Sequence, residues 1–162
     1  MKKRKLVLML FICIFSISMN ASAQSYHTGV GVRFGGLTSG LTVKHFNSSK
    51  TALEGILSVG NKSFIVTGLY EVHVPVDNSN AFKFYYGVGG HLGFFRDGGS
   101  YYYNGNRLYT NATVAGIDGV LGLEYKFGTA PISLGVDFKP FIDFFNGSIV
   151  YFDGGLSLRY TF

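Results

Sequence analysis

The chain has 162 residues and a mass of 17.7 kDa, which allows one domain and little more. Charged residues make up 14%, aromatic residues 17%, and mean hydropathy is +0.24; together these exclude a disordered chain and an ordinary soluble helical domain. The formal net charge of +5 is concentrated at the N-terminus.

Residues 1–23 have the layout of a cleaved secretory signal. Lys2, Lys3, Arg4 and Lys5 form a basic start, and Leu6 to Ile17 form an apolar core broken only by Ser16. Ala21-Ser22-Ala23 supplies the small-residue cleavage pattern, so cleavage between Ala23 and Gln24 leaves a mature domain of residues 24–162. The apolar run falls short of the roughly 20 residues that a membrane-spanning helix needs. Cys13 lies inside that core and follows Leu10-Phe11-Ile12 rather than a small residue, so it reads as a signal hydrophobe and not as a lipid attachment site. The mature chain then has no cysteine, which excludes a disulfide framework and thiol chemistry. Four of the 14 basic residues leave with the signal, and ten then face nine acidic residues, a net charge of +1. The sequence pI of 9.3 therefore implies no nucleic-acid partner.

The mature chain alternates apolar and polar residues with period two, broken by short polar turns. This predicts eight strands, over 25–34, 40–47, 51–59, 63–74, 82–95, 112–127, 131–144 and 148–162. In the first, Tyr26, Val30, Val32 and Phe34 oppose His27, Gly29, Gly31 and Arg33. The second and third are irregular: Leu41 and Val43 oppose Lys44, but His45 and Phe46 fall on unexpected faces, and Ile56 joins Glu54 on the polar side of the third. The fourth sets Phe64, Val66, Tyr70, Val72 and Val74 against Thr67, Glu71 and His73. The fifth has Phe82, Phe84, Tyr86, Val88, Gly90, Leu92 and Phe94 on one face, with Lys83, Tyr85, Gly87, Gly89, His91, Gly93 and Phe95 on the other. In the sixth, Leu121, Leu123, Tyr125 and Phe127 oppose Gly122, Glu124 and Lys126. The seventh opposes Ile132, Leu134, Val136, Phe138 and Ile142 to Ser133, Gly135, Asp137, Lys139 and Asp143. The eighth opposes Val150, Phe152, Leu156, Leu158, Tyr160 and Phe162 to Tyr151, Asp153, Gly155, Ser157, Arg159 and Thr161.

Which face points inward decides the solvent. A soluble barrel buries the greasy face, and a membrane barrel presents it to lipid. The mixed face is rich in glycine, as a narrow lumen requires, and it carries seven of the nine acidic residues in near balance with basic ones. Buried charges must be paired and hydrogen-bonded, so near-neutrality suits an interior. The apolar face carries almost no charge, and several strands reach the 9–11 residues that a tilted span needs. Lipid also forces the sheet to close, because every backbone N–H and C=O must pair within the protein. The expected fold is all-β, an eight-stranded antiparallel up-and-down transmembrane β-barrel with both termini periplasmic. Turns near 47–50, 75–81 and 128–130 then face the periplasm. The connections at 35–39, 60–62, 96–111 and 145–147 face outward, the longest among them. Gly60-Asn61 and Asn146-Gly147 carry tight-hairpin chemistry.

The signal, the eight alternating strands and the terminal Leu156-x-Leu158-x-Tyr160-x-Phe162 resemble small outer-membrane β-barrels of the OmpA/OmpX-like type. More narrowly, the chain is similar to the outer-membrane β-barrel-domain proteins of Bacteroidetes. The resemblance implies a Gram-negative outer-membrane location, a lipid environment and passage through periplasmic chaperones and the barrel-assembly machinery. It makes Leu156, Leu158, Tyr160 and Phe162 the assembly signal.

The charges Arg33, Glu71, Lys83, Glu124, Lys126, Asp137, Lys139, Asp153 and Arg159 invite either a structural network or a channel lining. Eight strands enclose a space that side chains just fill, so the expectation is a packed polar interior in a monomer, with a narrow or gated pore as the alternative. His27, His73 and His91 have no metal-ligand spacing, and no cofactor is implied. His91 in Gly89-Gly90-His91-Leu92-Gly93 bears comparison with outer-membrane lipid A deacylases. Their serine two residues on is replaced here by Gly93, so a lipid A-modifying enzyme is the lesser alternative and no catalytic residue is assigned. The loop carrying Tyr101, Tyr102, Tyr103, Arg107 and Tyr109 has the composition of a binding surface, but the expectation is an aromatic girdle whose tyrosines extend the fifth and sixth strands as a hairpin, with surface binding as the alternative. A soluble lipocalin-like carrier is disfavoured by the absence of tryptophan. The expected role is structural or interaction-based at the cell surface.

Overall fold

Period-two alternation gives each strand two chemically distinct faces, and closing the sheet turns them into an outside and an inside. The computed structural model describes residues 26–60, 62–76, 80–96, 102–103, 106–107, 113–144 and 150–162. The signal and its Ala23–Gln24 cleavage site lie outside the described residues. Eight long strands form one closed antiparallel barrel: β1 (Thr28–Gly35), β2 (Gly40–Phe46), β3 (Thr51–Gly60), β4 (Ser63–Pro75), β5 (Phe82–Phe95), β8 (Thr113–Lys126), β9 (Ile132–Asp143) and β10 (Val150–Thr161). The short β6 (Tyr102–Tyr103) and β7 (Asn106–Arg107) pair with each other within the connection from β5 to β8. Neighbours in sequence are neighbours in the sheet, and β1 closes on β10 from Gly29 opposite Thr161 to Gly35 opposite Gly155. The chain thus has the all-β, eight-stranded up-and-down fold expected of its sequence.

The greasy face is outside. Val30, Phe34, Leu57, Val66, Val88, Ile117, Val136, Phe152 and Leu158 are all exposed, while Arg33, Lys44, Glu71, Asp118, Lys139 and Arg159 are buried. All seven acidic residues placed on the mixed face point inward.

Parity holds through the irregular second and third strands. Phe46 and Ile56 point inward and are buried, and His45 points outward. The interior is therefore not polar throughout: Ile56, Leu69, Tyr85 and Val120 form an apolar cluster among the charges. Two successive residues depart from the expected faces. Tyr26 is buried inside and His27 is exposed, the reverse of the alternation. The amides of His27 and Thr28 both donate to the Phe162 carbonyl, at 3.2 and 2.9 Å. Two successive residues against one partner break the ladder there, and the parity shifts by one, as in a bulge.

The inward glycines are spaces for large neighbours. A β-carbon on Gly155 would sit 2.5 Å from the Arg33 guanidinium carbon, and one on Gly116 would sit 2.5 Å from the His91 ring. A β-carbon on Gly122 would collide with the Tyr85 ring. Gly155→Val is therefore expected to displace Arg33 and destabilise the barrel by about 1–3 kcal/mol, the usual penalty for overpacking. A fall in the urea midpoint of the protein folded in lipid vesicles checks this, and an unchanged midpoint contradicts it.

Candidate functional site: the ionic interior

Three groups of charges fill the barrel. The first centres on Arg33 of β1. Its Nη2 contacts Asp137 Oδ1 at 2.5 Å, and its Nε donates to Asp137 Oδ2 at 3.2 Å. Its Nη1 reaches Asp153 Oδ2 at 3.0 Å and donates to the Thr38 hydroxyl at 2.7 Å. Asp153 also accepts from the Thr38 hydroxyl and from the Leu37 amide, the latter at 2.9 Å. The β1–β2 connection is thus folded down onto the interior by one carboxylate.

The second group joins five strands. Lys44 Nζ lies 3.1 Å from Glu54, 2.7 Å from Glu71 and 3.5 Å from Glu124, and stands 4.0 Å over the Tyr85 ring. Arg159 pairs with Glu54, approaches Glu124 at 3.5 Å and donates to the Thr42 hydroxyl at 3.2 Å. Tyr26 donates to Glu124 at 2.6 Å. Beside them His73 contacts Glu71 at 3.0 Å, stacks on Tyr85 with centroids 5.0 Å apart and meets the tilted Phe46 ring at 4.7 Å.

The third group is His91, whose Nδ1 is 2.7 Å from Asp118 and whose Nε2 is 2.8 Å from Asp143. Lys139 reaches the other oxygen of Asp118 at 2.7 Å. A neutral imidazole has one N–H, so two carboxylate neighbours call for a second proton on the ring or one on a carboxyl.

Of the nine charges singled out in the sequence, Arg33, Glu71, Glu124, Asp137, Lys139, Asp153 and Arg159 belong to these groups. Two stand apart. Lys126 bends to the β8–β9 turn, donating to the carbonyls of Phe127 at 2.7 Å and Ala130 at 2.8 Å. Lys83 lies 4.9 Å over the Phe46 ring. Lys44, Glu54, Asp118 and Asp143 also belong to these groups; their parity put them on the mixed face, but nothing local shows which charges meet across a barrel. Thr42 is in phase with Lys44 but uncharged, Tyr26 falls on the opposite face of the predicted alternation, and Thr38 lies in a connection outside it. Among the described residues no group of three or more His, Cys, Asp or Glu side chains could hold a metal ion.

Arg33, Arg159, Tyr85, Tyr151, Lys44 and Lys139 are each at most 2% exposed, so the interior is filled by side chains. Leu156, Leu158 and Phe162 face outward and are exposed, with Tyr160 half-buried beside them. In the long connection Tyr102 pairs with Arg107 along the backbone. Tyr101 and Tyr109 lie outside the described residues.

No protein-family model and no curated protein matches the chain. Among solved structures it is similar to the crystal structure of Neisserial surface protein A, at 14% identity over 83% of this chain and 93% of that one, with a TM-score of 0.48. By its own architecture, greasy outside and ionic within, the chain is a small closed barrel of the outer-membrane type.

Proposed function

We propose that the chain is an integral outer-membrane barrel, termini toward the periplasm, with a structural or surface-interaction role rather than transport. The observation that carries this reading is the pairing of an unbroken exposed apolar belt with an interior packed by ionic side chains. In water such a belt exposes large hydrophobic area with no compensation, whereas in lipid it is the favourable face. In this reading lipids are its standing partners, and the outward Leu156, Leu158, Tyr160 and Phe162 present the assembly signal to the machinery that inserts it. It works as a monomer, since a closed barrel leaves no strand edge to pair.

Outer-membrane fractionation together with mobility on unboiled gels tests the location. A fast-migrating species that shifts on boiling is expected in the membrane fraction, and a soluble periplasmic protein would contradict it. Planar bilayers test the closed interior: salt bridges at 2.5–3.1 Å across the lumen leave no wide aqueous path, so no large, stable open currents are expected. Such currents would favour the narrow-pore alternative.

A further inference from the structure

We propose that the cavity at the barrel's terminus-bearing end is a binding site for an acidic sugar, with Lys83 as the residue that takes its carboxylate. The cavity has a volume of about 420 Å³ and is lined by Tyr26, His27, Phe46, Asn47, Ser48, Ser49, Asn80 and Lys83. That is within the range of small-molecule sites and ample for one sugar ring.

Lys83 is the unusual group in it. Arg33, Lys44, Lys139 and Arg159 each have a carboxylate within 3.1 Å, and Lys126 has two carbonyls. Lys83 is placed directly across the ladder from Glu124, yet Glu124 is engaged by Tyr26, Lys44 and Arg159. The contact described for Lys83 is the Phe46 ring face, 4.9 Å from its ammonium. Among the described residues no carboxylate lies within salt-bridge distance of Lys83, although Glu124 stands across the ladder from it, and a half-buried cation held in this way at the lip of a cavity is set up to meet an anion from outside.

The remaining lining says what kind of anion. Asn47, Ser49 and Asn80 are exposed around the same opening. Their amides and hydroxyl offer paired donors and acceptors, which is the pattern that ring hydroxyls match. Ser48 is used up by the β2–β3 turn, where its hydroxyl accepts from the amides of Lys50 and Thr51 at 3.2 and 3.1 Å. Tyr26 and Phe46, packed edge-to-face at 5.0 Å and both buried, close the floor beneath Lys83. A bare inorganic anion would leave the amide rim without partners; a neutral sugar would leave Lys83 without one. That the site faces the periplasm rests on the orientation proposed above, but its existence does not.

The test titrates the folded, full-length mature barrel in detergent micelles with glucuronate, glucose and inorganic phosphate, reading amide NMR shifts. Saturable shifts at Asn47, Ser49, Asn80 and Lys83 are expected with glucuronate alone. Lys83→Gln is expected to weaken that binding about tenfold or more, the scale of one charge-assisted hydrogen bond. Lys50→Gln, a cation of the neighbouring turn, is expected to leave it unchanged. Equal shifts with glucose and glucuronate, shifts with phosphate as strong as with glucuronate, no saturable shift, or equal loss in both variants would each overturn the proposal. Loss of the heat-modifiable band in a control gel reports a failure of the barrel reading separately.

Discussion

Replacing Arg159 with methionine is expected to destabilise the folded barrel by about 3–5 kcal/mol, the cost of removing one partner from a buried ionic group. Its guanidinium is 1% exposed and is the second cation of the Lys44 group, in contact with Glu54, Glu124 and Thr42. Without it, Lys44 alone faces Glu54, Glu71 and Glu124, and a negative charge in a closed interior loses its compensation. Methionine keeps much of the volume, so the loss reports charge rather than a cavity. Adding Glu54→Gln removes one negative charge and is expected to recover part of the stability. Urea unfolding in lipid vesicles measures both. A single variant within about 0.5 kcal/mol of the parent, the range of an uninvolved surface substitution, would show that the network is not part of the barrel's stability.

The other large effect belongs to the outer face. Val136→Arg puts a guanidinium halfway along β9 at a position that is 55% exposed. At mid-membrane that costs about 2–4 kcal/mol, and the variant is expected to lose most of its fast-migrating species on unboiled gels. Asp137→Ala, one residue on, faces the interior and is expected to be milder, because Arg33 keeps Asp153 at 3.0 Å. If the two variants assemble equally well, the faces have been assigned the wrong way round.

These two neighbours also show what a sequence can and cannot disclose. Alternation alone separates Val136 from Asp137, because strand periodicity is a local property of the backbone. It holds through Phe46 and Ile56, whose chemistry suggests the wrong face while their position gives the right one. The partner of Asp137 is another matter. Its sequence neighbour Lys139 pairs with Asp118, and Asp137 itself pairs with Arg33, two strands away around the closure between β1 and β10. Pairing across a lumen depends on register and side-chain reach, neither of which leaves a local pattern. Tyr26 failed for the opposite reason: its position was read from an alternation that ends one residue after it, where two amides share the Phe162 carbonyl. The spaces opposite Arg33, Tyr85 and His91 were visible as glycines on the mixed face, though not which side chain fills each.

The claim on which the account turns is that the apolar face meets acyl chains. Residues 24–162 contain no cysteine, so single nitroxide labels at Val88→Cys, Ile117→Cys and Val136→Cys, with Ser49→Cys in a turn, report on it directly in vesicles. Power-saturation collision rates with oxygen, which concentrates in lipid, and with a water-soluble nickel complex then compare the two solvents. The account predicts high oxygen and low nickel collision at the three strand positions, and the reverse at residue 49. High nickel collision at all four would contradict it.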